Sequence, residues 1–217
     1  AQCAKGGGGW LFMQCLPRSK VNSQAGSILR EDPRLADERF WRLYRDILTI
    51  VATARDANGH QSFEAHPLTH YYWEIIQATQ GSNWVLCMTL ASTVEGLIKM
   101  MFSEAERKSD YDDAVVNSLK SVIGDWKGAD NLRSQVLQYL ERFKTKGTNN
   151  LLRMLIGTNG ITSEQVNAWI KLRHSSMHGD MVMPWSNEEL DGRINNLIEL
   201  THRLSEAYIK RELSKHG

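Results

Sequence analysis

Between Ser82 and Arg107 the apolar residues recur at three- and four-residue steps, through Leu86 or Cys87, Leu90, Ala91, Val94, Leu97, Ile98, Met101 and Phe102. Such steps return to one side of a helix of 3.6 residues per turn, so the segment predicts a single long α-helix. The stripe is too wide for a helix that packs along one edge. It fits a helix enclosed on several sides within a bundle. Ser82 or Asn83 is suited to cap its first turn. Glu95 lies at the edge of the stripe, where a carboxylate either reaches solvent or pairs with a base from another helix.

The rest of the chain follows the same period. Residues 37–57 place Phe40, Leu43, Tyr44, Ile47, Leu48 and Val51 on one face, with Asn58 and Gly59 as a stop. A shorter helix over 68–76 follows Pro67. Tyr111, Val115, Leu119, Val122, Ile123 and Trp126 predict another over 111–126, and Gly128 breaks it. Leu132, Val136, Tyr139, Leu140 and Phe143 predict an amphipathic helix over 130–145, and 149–156 fits a short one. Thr162 and Gln165 form a reciprocal capping box ahead of a helix whose inward face is Val166, Trp169, Ile170, Arg173 and Met177. Gly179 should stop it. Pro184 and Trp185 form a link, and Ser186 with Glu189 opens a last helix over 187–213. That helix carries Leu190, Ile194, Leu197, Ile198, Thr201, Leu204 and Tyr208 on one side. No segment alternates convincingly as a strand. The fold class expected is all-α, an antiparallel helical bundle.

Three regions are expected: a flexible linker or remnant of a preceding domain over 1–30, a helical extension over 31–80, and the main bundle over 81–214. The glycine run Gly6–Gly9 reads as linker, because no Gly-Lys-Ser/Thr ending follows it as a phosphate-binding loop requires. The 26 basic and 25 acidic residues leave a net charge of +1, so no global field draws a polyanion to the surface. A nucleic-acid contact then needs a local patch, such as one built by two subunits. Cys3, Cys15 and Cys87 form neither a disulfide framework nor a zinc motif, and a reducing, cytoplasmic setting is expected. Cys87 reads as a buried small hydrophobe. His60, His66 and His70 read as surface or packing residues. No run of 18 uninterrupted apolar residues is present, and no membrane partner is expected.

The chemistry concentrates in Arg173-His174-Ser175-Ser176-Met177-His178-Gly179-Asp180. Arg173 interrupts the apolar series 166, 169, 170, 173, 177 with a permanent charge that must find an anion or stay wet. His178, five residues on, is about 140° around a regular helix from Arg173. Gly179 permits the last turn to loosen and bring the two sides together. His174 and His178 share a face. A guanidinium grips phosphate through paired hydrogen bonds, and an imidazole exchanges protons near neutral pH. Together they suit attack of an RNA 2′-hydroxyl on its own phosphate, with Ser175 and Ser176 adding hydrogen bonds. The alternative is structural: Arg173 pairs with a carboxylate such as Glu95, and His178 caps the helix end. A metal site on His174 and His178 lacks an obvious third ligand.

The stretch Arg173 to His178, an Arg followed after four residues by a His, with His174 in the second position and Leu172 and Gly179 flanking, resembles the motif of the HEPN superfamily. The helix carrying Glu95 in Leu90-Ala91-Ser92-Thr93-Val94-Glu95-Gly96-Leu97 resembles an earlier bundle helix of those domains, which often bears an acidic residue. The likeness covers roughly residues 80–210 and looks closest to the HEPN-like C-terminal domains of ApeA-type abortive-infection proteins. It implies a HEPN-type bundle with additional N-terminal helices and a sensor domain in the same chain. It also implies a metal-independent endoribonuclease without cofactors, acting in anti-phage defence or as a toxin on single-stranded or structured RNA. Arg173 and His178 of two subunits would line a shared cleft, supported by His174, Ser175, Asp180 and Glu95, and the products would carry a 2′,3′-cyclic phosphate. Toxin-type members place a Tyr two residues after the His; here Asp180 stands there. Some members are non-catalytic dimerisation or regulatory modules, which is the alternative function.

Overall fold

The computed structural model describes the backbone of residues 38–178 and 188–215, with side chains described over 44–175 and 188–215. Eight α-helices lie among the described residues: α1 (Glu38–Ala52), α2 (Pro67–Ala78), α3 (Asn83–Met101), α4 (Asp113–Asp125), α5 (Asp130–Glu141), α6 (Thr148–Met154), α7 (Ser163–His178) and α8 (Glu188–Ser214). Sheet structure among them is limited to two isolated bridges, Arg55 with Gln61 and Lys108 with Thr145. The described residues form an all-α bundle. The expected linker 1–30, the Pro184–Trp185 link and Ser186 at the opening of the last helix lie outside the described residues.

The centre is built by α3, α7 and α8, with α1, α2 and α6 packed around them. Leu86, Leu90, Val94, Leu97 and Ile98 of α3 meet Val166 and Trp169 of α7 and Ile194, Leu197, Ile198 and Leu204 of α8 in one core. Ile50 of α1 and Leu68 and Ile75 of α2 belong to that same core. By length and hydropathy α3 is able to cross a membrane; here nine of its residues are buried in the core. That degree of apolarity is what a helix enclosed by several neighbours requires. Cys87 is fully buried as expected, and desolvation pushes its thiol pKa up to about 12.

The bundle is not uniformly antiparallel. His66 beside Tyr208, and Tyr72 beside His202, set α2 antiparallel to α8. Leu90 shares a packing site with Ile198 and Thr201, while Phe102 lies under Arg211, so α3 and α8 run in the same direction.

Several helices stop earlier than their periodicity predicts. α1 ends at Ala52 rather than near Ala57. Asp56 folds the chain into a turn there, its Oδ1 accepting from Asn58 N at 2.8 Å and His60 N at 2.9 Å. Gly59 takes the positive φ of +80° expected of it, in this turn instead of at a helix end. α3 ends at Met101 rather than Arg107. Ser103 and Glu106 bond reciprocally there: Glu106 accepts from Ser103 N at 2.8 Å, and Ser103 Oγ accepts from Glu106 N at 3.3 Å. That starts a new turn in competition with the old helix. The box at Thr162 and Gln165 forms as predicted, with bonds of 3.1 and 3.4 Å.

The largest departure is the hairpin of α4 and α5. Both helices form, but only Val116 and Leu140 of them are buried. Their inner residues are Val116, Lys120 and Ile123 on α4 and Arg133, Leu137 and Leu140 on α5, with Lys120 ion-paired to Glu141 across the hairpin. The apolar series Val115, Leu119, Val122, Trp126 precedes the inner series of α4 by one residue at each step. The series Leu132, Val136, Tyr139, Phe143 precedes the inner series of α5 in the same way. A one-residue offset is about 100° around each axis. Because the two helices run oppositely, equal offsets turn both series to the same side of the pair. Val115 is 63% exposed, Val122 64% and Tyr139 61%, so this two-helix face is open. The hairpin joins the bundle through the Lys108–Thr145 bridge, with Ser109 N donating to Lys144 O at 3.0 Å and Lys146 N to Arg107 O at 2.7 Å.

Candidate functional site

Two side-chain contacts, one turn apart, join α3 and α7. Trp169 Nε1 donates to Ala91 O at 3.2 Å, a bond buried in the core. Four residues further along each helix, Arg173 Nε donates to Glu95 Oε1. Four residues is slightly more than one helical turn, so Trp169 and Arg173 share a face, and so do Ala91 and Glu95. The Arg173 guanidinium also lies over the Trp169 ring, 5.5 Å from its centroid. The ring is almost wholly buried and makes a rigid floor. Arg173 is thus held from two directions, by a carboxylate at Nε and an aromatic face beneath it.

The pair sits at the rim of the core. The Arg173 side chain is 43% exposed and Glu95 29%. An Arg has five N–H donors in a fixed fork, and the bond from Nε uses one of them. Among the described residues the guanidinium's ion pair is with Glu95, and the Arg173 side chain as a whole is partly exposed. Arg173 thus has the structural partner foreseen in Glu95, and its side chain is not wholly buried.

The remaining motif residues are placed less completely. α7 is helical through His178, so its backbone does not loosen before that residue. On a regular helix His178 is therefore about 140° around the axis from Arg173, and the expected return of its side through an opened last turn does not occur within α7. The His178 side chain, Ser176, Met177, Gly179 and Asp180 lie outside the described side chains. His174 is exposed and Ser175 half-buried, both on the helix that carries Arg173. Among the described residues no group of three or more His, Cys, Asp or Glu side chains is placed to hold a metal ion.

Two contributors escaped the sequence reading. Trp169 was legible as an inward residue, and the Trp-to-Arg spacing of four was the available sign of its second role. Gly96, next to Glu95, lets Tyr71 of α2 approach: a Cβ there would meet the Tyr71 hydroxyl at 2.0 Å. No sequence pattern marks that approach.

Comparison of the chain with protein-family models, curated proteins and solved structures gives no match. The functional reading therefore rests on the residues and their geometry.

Proposed function

We propose that the chain is a metal-independent endoribonuclease of HEPN type, working as a homodimer in a cytoplasmic anti-phage defence or toxin setting. The observation that carries the reading is Arg173, fixed at Nε by Glu95 and from below by Trp169 while still partly open to solvent. A cation already oriented before substrate arrives stabilises charge growing on a phosphate without reorganising during the reaction. In the proposed step the RNA 2′-oxygen bonds to the adjacent phosphorus and the bond to the 5′-oxygen breaks. His178 takes the 2′-hydroxyl proton, and a second subunit's imidazole gives one to the leaving 5′-oxygen. Two subunits also supply what one helix does not, since Arg173 and His178 sit about 140° apart around a regular α7. His174, Ser175 and Asp180 are the supporting groups nearest in sequence.

The second reading is a non-catalytic dimerisation or regulatory module, and the Arg173–Glu95 bond favours it, because it already satisfies part of the charge. RNA cleavage with EDTA present distinguishes the two. The nuclease reading expects activity in the parent and its loss in His178→Ala and Arg173→Ala, with circular dichroism verifying that each variant folds. Equal cleavage by all three proteins, or none by any, rejects it.

A further inference from the structure

We propose that the open face of the α4–α5 hairpin is a self-association surface, on which a second copy of this chain docks its own hairpin to complete a four-helix bundle. The face is two parallel stripes with the same four-three-four spacing, the pattern by which helices interlock along a seam. A two-stranded layer with one apolar side is half of a bundle, and an equal layer completes it. The size fits as well. With Tyr111 counted and the half-buried Val136 left out, eight exposed apolar side chains at on the order of 100 Å² each give about 800 Å², comparable to the area each partner buries in a standard stable interface. A patch of that extent exceeds what monomeric proteins ordinarily leave open.

Charge selects the occupant. Over 111–144 the acids are Asp112, Asp113, Asp125, Asp130 and Glu141, and the bases Lys120, Lys127, Arg133, Arg142 and Lys144, so the arm is neutral. A neutral arm offers no field for nucleic acid or an anionic bilayer. Its charges are also ordered along the chain. α5 begins at Asp130 and ends through Glu141, Arg142 and Lys144, a net positive end; α4 begins at Asp112 and Asp113 and ends with Asp125 and Lys127, which cancel. A two-fold axis that sets α5 against α5 in opposite directions places Asp130 beside its partner's net-positive end, and the acidic start of α4 beside a neutral end. A surface complementary to itself in this way forms a closed dimer. At the base, Tyr111 and Tyr139 meet the Phe143 ring edge-on, with centroids 6.0 and 6.4 Å apart, and stiffen the seam where it joins the bundle.

The nuclease reading also calls for two subunits, so a monomeric parent would sink both; Leu119→Glu tests this inference alone, because a variant that still pairs keeps a nuclease dimer and removes the hairpin as its seam. Light scattering on the purified chain should give twice the 24.7 kDa of one copy at tens of micromolar, falling on dilution. Leu119→Glu charges the seam and should give a single copy. Ser121→Glu, on the opposite side of α4, should leave the dimer intact. Hydrogen exchange on the parent gives a second reading without substitutions: amides of 113–141 should gain protection as concentration rises. A parent that stays at 24.7 kDa at every concentration overturns the proposal, as does a Leu119→Glu protein that associates as the parent does.

Discussion

Replacing Glu95 with Gln removes the charge that holds Arg173 and keeps the side chain's size. The exposures of the two side chains, 43% and 29%, place the pair between a surface ion pair and a dry one. Fully exposed pairs contribute about 0.2–1 kcal/mol, and breaking a buried one costs about 3–5 kcal/mol. With water still reaching both groups, we expect a loss of about 1 kcal/mol for Glu95→Gln. Arg173→Gln removes the same pair and also the contact with Trp169, which at a partly wet site adds about 0.5–1 kcal/mol. It should therefore be the more damaging change, and the double variant should reveal a coupling energy of about 1 kcal/mol. Urea unfolding of the four proteins measures this, read as midpoint shifts at unchanged slope; about 1 kcal/mol moves the midpoint by roughly 0.5 M. A coupling of 3 kcal/mol or more would mean a dry structural staple with nothing left for a ligand. A coupling of zero, or Glu95→Gln costing more than Arg173→Gln, would refute the two-sided hold on Arg173.

Two further outcomes follow from the core around this site. His66 is buried, with Nδ1 accepting from Leu68 N at 3.2 Å and Nε2 beside the Tyr208 hydroxyl at 3.3 Å. Desolvation lowers its pKa from 6.5, with the Glu212 charge opposing. The unfolded chain then binds the proton first, so this group's stabilisation is complete above pH 6.5 and declines as pH falls toward the lowered folded value. His66→Asn keeps a cap acceptor without titrating, and unfolding curves between pH 7 and pH 5 should lose this part of their slope; an unchanged slope assigns it elsewhere. Gly96→Val drives side-chain carbon into Tyr71, and overpacking of this kind costs about 1–3 kcal/mol. Its thermal midpoint should drop, and an unchanged or higher midpoint would show that Tyr71 moves aside freely.

Periodicity recovered the helices because a 3.6-residue repeat is a local property, readable wherever a stripe exists. It did not recover what each stripe faces. The series on α3 and those on α4 and α5 look alike as sequence, yet Leu90 and Val94 lie in the core and Val115 and Val122 face water. Helix ends were missed where side chains compete with the backbone, at Asp56 and at Ser103 with Glu106, since those bonds depend on local turns and not on the repeat. Glu95 and Arg173 were each legible as charges beside an apolar face. Their pairing was one of the alternatives read from the sequence; choosing it needed the packing of α3 on α7, which joins residues 78 apart. The Trp169 floor and the Tyr71 approach to Gly96 are likewise tertiary, as is the hairpin's departure from the core.

The attack by a 2′-hydroxyl is tested most directly by the substrate itself. The purified chain, in EDTA, is offered one RNA sequence with free 2′-hydroxyls and the same sequence fully 2′-O-methylated. Cleavage of the first only, leaving 2′,3′-cyclic phosphate ends and requiring His178, is the predicted result. Cleavage of the methylated strand, or cyclic-phosphate products persisting undiminished in His178→Ala, would contradict it.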